Sequence, residues 1–565
     1  MTKTQSQHTQ HTQHTTLHHD IIRITPLGGL GEIGKNMTVY EVNDDAVIVD
    51  AGFKFPEYDM QGIDYVIPNM DYLDQIKDKI RGILITHSHM DHIGALGYTL
   101  EHVRAPIYAS KFALGIIEDV IPGRMKPYET RAVQAGDRIK IGNMDVEFVR
   151  VTHSVPESMA IAIRTSEGII LHTGDYKVDQ TPVDDKPIDL QKFSALGREG
   201  ILLLLSDSTN AEESGFAGSE RDLRSTFDSI VHESKGRIIF STFSSNIHRI
   251  QQIMDAVAPQ GRKVFVDGRS IISSVKVARK VKIMDMPENM FVQQDQMGSV
   301  PKDKMLIVTT GTQGEPMSGL SRLARGEHDF VKITKGDTVV LSADPIPGNE
   351  EMVARTVDNL FRRGANVFYR REDKVHVSGH GAQGDLKLML SLTRPKFFVP
   401  IHGEYRHLLW NKRLAESVGI PGTHVLILEN GQCFTVDSEH LTALKRIPAE
   451  GLLIDGLALG LPDSPILTDR ARLAKDGILV LVVSIDTMTG KILAGPEIVT
   501  KGVVTDDDAI LTDLTREMKA FMVTHRNKDV RATPDLQLDL RKFSAKYIYD
   551  KTRRRPIVIP VILER

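Results

Sequence analysis

ILITHSHMDHIGAL occupies residues 83–96, and its centre, Thr86-His87-Ser88-His89-Met90-Asp91-His92, sets three histidines and one aspartate within six positions. The apolar run Ile83-Leu84-Ile85 leads in, and Ile93-Gly94-Ala95-Leu96 leads out. The pattern predicts a buried strand ending in a loop of metal ligands, with a helix beginning just beyond. On an extended loop His87 and His89 face the same way. Asp91 and His92 come at the following turn and face a second point. Neutral imidazoles and a carboxylate suit zinc, and they also suit manganese. A polar loop with incidental histidines is the alternative, but His-x-His-x-Asp-His is far more specific than a lone histidine pair.

Upstream, Gly29-Leu30-Gly31-Glu32-Ile33-Gly34 matches the glycine pattern of dinucleotide-binding folds, with Asp50 at a tempting distance. That motif requires a helix whose N-terminus faces the pyrophosphate. Here residues 37–42, 43–45 and 46–50 read instead as strand, turn, strand. The dinucleotide reading is rejected. Asp50 ends an apolar strand, where it can hydrogen-bond the ligand loop from behind. Downstream, Val151-Thr152-His153-Ser154 follows the alternating segment 144–149, and Ile169-Ile170-Leu171 leads to His172-Thr173-Gly174-Asp175. A lone strand-end His or Asp is usually structural. Each of these, however, ends a strand before small or polar residues, as the first motif does. In a layered αβ/βα sandwich such loops open on one edge.

At 565 residues the chain exceeds one ordinary domain, so roughly two to four are expected. A hydrophobic share of 41% with 25% charged residues is that of a soluble globular protein. No apolar run is long enough to cross a bilayer. The net charge of −4 leaves nucleic-acid binding to local patches. A single cysteine, Cys433, excludes an intrachain disulfide and a cysteine-based zinc site, and it fits a reducing cytoplasm. Cys433 itself reads as a small buried hydrophobe.

The organisation reads as follows. Residues 1–19, rich in Gln, His and Thr, lack the apolar core of a signal peptide and form a disordered tail. Loose metal binding by His8, His11, His14, His18 and His19 is the alternative. Residues 20–210 make the first part of the sandwich, 211–375 an inserted α/β domain and 376–450 the return to the sandwich through residues 425–428 and 433–436. The Gly- and Pro-rich stretch 451–465 reads as a linker, and 466–565 as a small α+β domain. Within the insert, residues 238–240, 305–309 and 338–341 are buried parallel-type strands. Their continuations at 311–314 and 347–349 read as turns. Ser244-Ser245-Asn246 at a helix start presents N–H groups and hydroxyls to an anion, with plain N-capping as the alternative. His376-Val377-Ser378-Gly379-His380 is a second small-residue anion loop. Basic clusters at Arg362-Arg363, Arg370-Arg371 and Lys276 to Lys282 are solvated faces or, together, a phosphate-binding groove. In the last domain, residues 478–483 form a strand. Ile510, Leu511, Leu514, Met518 and Phe521 fall at helical spacing, as do Leu536, Leu540, Phe543 and Tyr547. Arg553-Arg554-Arg555 precedes a strand at 557–563.

Asp50, the His87–His92 run, His153 and Asp175 resemble the successive motifs of the metallo-β-lactamase superfamily. Residues 205–210, 377–381 and 400–404 resemble the three further motifs of its β-CASP nucleases. The chain is similar to the bacterial ribonuclease J family across nearly all of its length beyond the tail, including 28–36, 344–349 and 553–560. The resemblance implies that His87, His89 and His153 hold one metal, that Asp91, His92 and His402 hold the other, and that Asp175 bridges them. Two divalent ions per subunit, zinc or manganese, would activate the hydroxide that attacks a phosphodiester. Asp207 and His380 would serve as the acid–base and phosphorus-stabilising pair, in either order. Ser244, Ser245, Asn246, His376, Val377, Ser378, Gly379 and His380 would hold the 5′-monophosphate and backbone of single-stranded RNA. Asp455 is a candidate for supporting a structural cation such as calcium, with a simple turn as the alternative.

The implied activity is 5′-to-3′ exoribonuclease action preferring 5′-monophosphate ends, plus endonuclease action, in ribosomal RNA maturation and messenger RNA decay. It implies a cytoplasmic homodimer or homotetramer, assisted by the last domain, with RNA-degradation partners and no membrane. A DNA-processing β-CASP nuclease is the alternative within the class, since preference for RNA rests on the resemblance alone. A small-molecule hydrolase of glyoxalase or lactamase type is disfavoured by the insert and the anion loops. A non-catalytic RNA-binding scaffold is disfavoured by the intact ligand set.

Overall fold

The computed structural model describes residues 19–57, 60–121, 127–313, 315, 317–346, 349–456, 458–460, 465–486, 489, 491–503, 508–524 and 533–565. The expected tail lies outside these but for His19, as do parts of the expected turns at 311–314 and 347–349 and of the expected linker.

The chain divides into two compact units. In the first, which holds the described residues up to 55 and 66–451, two sheets face each other. One has eight strands, ordered Leu441–Arg446, Gln432–Val436, Ile22–Gly28, Met37–Val42, Asp45–Val49, Ile80–Leu84, Ile107–Ala109 and Thr130–Ala132. The other has six, ordered Phe397–Ile401, Ile201–Asp207, Gly168–His172, Met159–Thr165, Met144–Arg150 and Arg138–Ile141. Strand side chains alternate between faces. Leu203 and Leu205 therefore join Ile24, Tyr40, Val49, Leu84, Phe148 and Ile161 between the sheets. Leu204 points the other way, onto Phe193, Leu386 and Leu414 of the helices Leu190–Glu199, Gln383–Thr393 and Tyr405–Ser417. Each such fully buried aliphatic side chain contributes about 1.5–3 kcal/mol, so a one-residue slip of a central strand would be costly. The glycine-rich stretch after Ile22–Gly28 passes into the strand Met37–Val42 rather than a helix.

Strand direction gathers the site. Asp45–Val49 runs parallel to Ile80–Leu84. Gly168–His172, Ile201–Asp207 and Phe397–Ile401 also run parallel to one another. Two antiparallel pairings give Met144–Arg150 the same direction as Gly168–His172. Asp50, the His87 loop, His153, Asp175, Asp207 and His402 thus all stand at carboxyl ends of strands. The helix expected beyond the ligand loop starts inside it: Met90–Ile93 is a helical turn with His89 at its N-cap, so Asp91 and His92 are helical. Residues 433–436 lie in a return strand, whereas 425–428 are irregular apart from a bridge from Val425 to Phe398. Cys433 is buried, with the Thr25 hydroxyl 3.4 Å from its sulfur.

The chain leaves the sandwich after Asp207 and returns at Phe397, immediately beside the strand it left, with Asp207 in register with Ile401. Between lies a five-stranded parallel sheet, ordered Lys263–Asp267, Met305–Thr309, Ile238–Ser241, Thr338–Leu341 and Asn366–Phe368. Its strands read as unbroken apolar runs because both faces are covered. Leu223–Glu233, Ile247–Val257 and Arg269–Lys280 cover one face, and Gly319–Arg325 and Glu350–Arg362 the other.

The second unit holds the described residues of 56–65 and 452–565. Its sheet is ordered Ile492–Lys501, Ile478–Ile485 and Ile557–Glu564. Leu479, Leu481 and Val483 pack on Leu514 and Met518 of Asp508–Thr524 and on Leu540 of Thr533–Thr552, and both predicted helical stripes join this core. The stretch expected as a linker instead carries an antiparallel pair, Leu452–Asp455 with Ala458–Gly460, and the Asp64 N–H donates to the Ile454 carbonyl at 2.8 Å. At Asp455, where support of a structural cation is expected, the carboxylate is paired with the Arg470 guanidinium. Among the described residues, no helix is long and apolar enough to cross a membrane.

Candidate metal centre

Among the described residues three groups of ligand atoms share Asp175: His87, His89 and His153 form the first with it, Asp91, His92 and His402 the second, and Asp207, His380 and His402 a third. In the first, His89 Nδ1 stands 3.1 Å from both His87 Nε2 and His153 Nε2. Asp175 Oδ2 is 3.6 Å from His87 Nε2 and 3.8 Å from His153 Nε2. In the second, the same oxygen is 3.2 Å from His92 Nε2 and 3.4 Å from His402 Nε2. Asp91 Oδ2 is 3.5 Å from His92 Nε2 and 3.2 Å from His402 Nε2. A tetrahedral shell with bonds of about 2.0–2.2 Å has edges of roughly 3.3–3.6 Å. The separations fit such edges, so the donor set suits a divalent metal in chemistry and in spacing.

The ring nitrogen facing away from each group is held by an oxygen. His87 Nδ1 meets Thr86 Oγ1 at 3.0 Å, and His92 Nδ1 meets Asp50 Oδ2 at 2.7 Å. His402 Nδ1 meets Thr209 Oγ1 at 2.7 Å, His153 Nδ1 meets the Gly379 carbonyl at 2.7 Å, and His89 Nε2 meets Ser245 Oγ at 2.9 Å. Such partners fix tautomer and ring orientation. Asp50 also accepts from the Thr86 N–H and hydroxyl, both at 2.8 Å. Asp50 (φ 61°) and His402 (φ 53°) adopt left-handed backbone, rare outside glycine and typical of strained functional positions.

Burial holds the His87 and His153 imidazoles well below their usual range, and holds His89 down at about 4. Neutral rings are what metal ligation needs. The second group differs. Burial opposes charge there too, but Asp175, Asp91 and Asp50 raise His92 well above the usual range, and Asp175 and Asp91 raise His402 to about 9. Asp91 and Asp175 are themselves held well below the carboxylate range: burial works against ionisation, and the facing imidazoles outweigh it.

Asp207 is 1% exposed. Its Oδ1 accepts from the Thr209 N–H and hydroxyl at 2.9 and 2.8 Å, and its Oδ2 meets His380 Nδ1 at 2.7 Å. The His380 ring lies 5.0 Å from that of His153 and 5.3 Å from that of His402, so it borders both groups. Ser378 Oγ accepts from Asn210 Nδ2 at 2.8 Å and from the His380 N–H at 3.1 Å.

The loop residues expected to face substrate divide. Ser245 is turned onto His89, with Ser244 half-buried beside it. Asn246 sits at the N-cap of its helix without a side-chain capping bond, and it is buried between the Ser154 carbonyl and Arg249. His376 Nδ1 and the Val377 carbonyl face the Arg249 guanidinium, and burial with that charge beside it holds His376 well below the usual imidazole range. In the basic clusters, Arg362 pairs with Asp358, Arg371 with Glu213 and Arg279 with Glu288. Sequence reasoning missed Asn36, whose amide nitrogen lies 3.1 Å from the Asp91 carbonyl and 3.3 Å from its carboxylate. It also missed Thr209 and Arg249. Asn36 ends the stretch 28–36 that enters the family resemblance, two positions beyond the glycine pattern whose dinucleotide reading is rejected.

The sandwich, the ligand groups at its edge and a parallel-sheet domain inserted between adjacent strands define a metal-dependent hydrolase of the metallo-β-lactamase fold with a β-CASP insertion. Family models agree: the metallo-beta-lactamase superfamily matches residues 30–212 and the Zn-dependent metallo-hydrolase RNA specificity domain 364–427. The ribonuclease J beta-CASP domain matches 235–360, and the ribonuclease J C-terminal domain 465–565. The chain belongs to the ribonuclease J family and is a metal-dependent ribonuclease. It is 36% identical over 547 residues to ribonuclease J2 of Bacillus subtilis, covering 96% of this chain and 98% of that one. It is 38% identical over 561 residues to ribonuclease J of Thermus thermophilus, covering 96% of each. A crystal structure of a protein of unknown function from Enterococcus faecalis V583 shares the fold, with a TM-score of 0.51 and 16% identity, covering 74% of this chain and 100% of that one.

Proposed function

We propose that this ribonuclease degrades single-stranded RNA from a 5′-monophosphate end toward the 3′ end, with endonucleolytic cutting as a second mode. The observation that carries the reading is that both candidate anion loops touch the ligand histidines: Ser245 meets His89, and Gly379 meets His153. A terminal phosphate held by these loops would stand about one nucleotide from the reacting bond. The Ser378 hydroxyl accepts two hydrogen bonds and keeps its own proton to donate to an anion.

In this reading His87, His89 and His153 hold one divalent cation, Asp91, His92 and His402 hold the second, and Asp175 is shared. Zinc and manganese both suit these donors. When bound, the pair supplies Lewis acidity toward phosphoryl oxygen and makes water a better nucleophile. Asp207, with both oxygens occupied by Thr209 and His380, orients the imidazole. His380, 20% exposed beside both groups, stabilises charge on the phosphoryl oxygens or gives a proton to the leaving 3′ oxygen. Each cut releases a nucleoside 5′-monophosphate and regenerates the phosphorylated end that the loops accept.

The same reading divides the chain at 210/211 and 375/376 around the insert, with 466–565 assisting RNA binding and assembly into a homodimer or homotetramer in the cytoplasm. The test is a time course on matched RNAs with 5′-monophosphate, triphosphate or hydroxyl ends. The monophosphate end is expected to be favoured over hydroxyl by about ten- to a hundredfold, from charge-assisted hydrogen bonds of about 1.5–3 kcal/mol. Ser378→Ala narrows that difference more than it slows internal cutting. Equal rates on all three ends, or mononucleotides released first from the 3′ end, would overturn the proposal.

A further inference from the structure

Arg249, in the first turn of the helix Ile247–Val257, is 0% exposed, and its guanidinium is engaged on every side. Nε and Nη2 donate to the two Glu220 oxygens at 3.1 and 2.6 Å. Nη2 also donates to the Val377 carbonyl at 2.9 Å. Nη1 donates to the Ser342 carbonyl at 2.8 Å and to His376 Nδ1 at 2.7 Å. These partners come from three separate segments. Glu220 lies just past the outgoing sandwich strand. Ser342 follows the insert strand Thr338–Leu341. His376 and Val377 begin the loop that ends at His380.

Glu220 is buried as well, with the Lys177 ammonium 3.9 Å away. Desolvating such charges costs nearly what their attraction returns, so a buried ion pair is a poor device for stability alone. Its better-attested use is to fix one geometry among several. Here the geometry fixed is that of the loop whose Gly379 carbonyl takes His153 Nδ1, and whose His380 meets Asp207. A lysine could pair with Glu220 as a point charge, but it lacks the planar fork that reaches Val377, Ser342 and His376 together.

We propose that Arg249, clamped by Glu220, is a positioning residue: its fork sets the 376–380 loop so that Gly379 orients His153 and His380 meets Asp207. The clamp closes only when the insert helix, the insert sheet and the returning loop are seated together, which makes the first ligand group depend on the insert. The inference rests on the roles of His153 and His380 given above.

The test uses the full chain with Arg249→Lys and the double variant Arg249→Met with Glu220→Gln, which leaves no unpaired charge. Arg249→Lys is expected to lower kcat about 10- to 100-fold, with KM for RNA changed by less than about threefold, as for other residues that orient metal ligands. The chelator concentration that strips half of the metal should fall by a similar factor, about 10-fold or more. Amide hydrogen exchange should rise at residues 376–381 and stay unchanged in the insert strands. The double variant should repeat all three effects. Wild-type kcat and wild-type chelator midpoint in Arg249→Lys would overturn the proposal. So would losses that only track a lowered thermal midpoint, with exchange raised throughout 211–375. An active His380→Ala would overturn the site reading instead, while chelator and exchange measurements, made without RNA, still decide the clamp.

Discussion

The two ligand groups differ in what holds them. His87, His92 and His402 are oriented by Thr86, Asp50 and Thr209, all at the sandwich's own strand ends. His89 and His153 are oriented by Ser245 and Gly379, from the insert loop and the returning loop. The second group therefore takes its orienting partners from sandwich strand ends, although His402 itself follows the insert, whereas His89 and His153 of the first take theirs from the insert loop and the returning loop. The electrostatics divide in the same way. Carboxylates pull His92 and His402 up, while burial among other imidazoles holds His87, His89 and His153 down. Two ligand groups that share one carboxylate need not be held alike, and here the first depends on segments of the insert and of the returning loop.

The shared atom is the harshest test of that contrast. Asp175→Ala removes the one ligand common to both groups, and it should cost at least about 10⁴-fold in RNA cleavage, some 5.4 kcal/mol of barrier, with both metals lost by elemental analysis. Retention of one tightly held metal in that variant would show that the groups are independent. His380→Ala removes no ligand atom of the first two groups and should cost about 10²–10³-fold in kcat, the range for a positioned acid or charge stabiliser, with metal content unchanged.

Smaller changes separate the halves. Asp50→Ala should weaken the second group most, lowering metal affinity there about 10–100-fold, with a smaller loss from the first group in a stepwise chelator titration, through the Thr86 hydroxyl that links Asp50 to His87. Ser245→Ala should act on the first group and by less, about fivefold, the value of one neutral hydrogen bond near 1 kcal/mol. If both variants lose the same metal, the division is wrong. The subtlest effect is on pH. In metal-stripped protein, His402 titrates near 9 against an ordinary 6.5, so its contribution to stability is complete below about pH 6.5 and is lost as pH rises through 9. His89, held down at about 4, acts oppositely and destabilises as pH falls from 6.5 toward 4. The thermal midpoint of chelated protein should therefore fall on both sides of pH 6.5, and refilling the metals should flatten the profile.

Much of this centre was legible before folding. The His87–His92 run, the strand-end His153 and Asp175, and the supporting Asp50 all announce themselves by apolar strands breaking into polar loops, because strand periodicity is a local property. Other features needed the fold. Ser245 and Asn246 read as substrate contacts because a Ser/Asn-rich helix start is a generic anion motif. The fold adds that the Ser245 hydroxyl also meets His89 and that Asn246 is buried between the Ser154 carbonyl and Arg249. Asp455 is a cation candidate through the resemblance alone, and Arg470 reaches its carboxylate from the following helix. The helix expected after the ligand loop begins inside it, since a turn of helix at Met90–Ile93 is what brings Asp91 and His92 to the second group.

Residue order along the chain is enough to state the donor types, the strand ends they occupy and the sandwich that aligns those ends. It is also enough to say that a domain is inserted before His402. Only the folded chain brings His402 beside Asp207, because the strand Phe397–Ile401 docks in parallel register against Ile201–Asp207 across an insertion that no local pattern measures. Only the folded chain decides which loop groups face substrate and which face inward. A buried polar atom must find a partner, and the partners of His89, His153 and Arg249 lie 29 to 226 positions away in the chain.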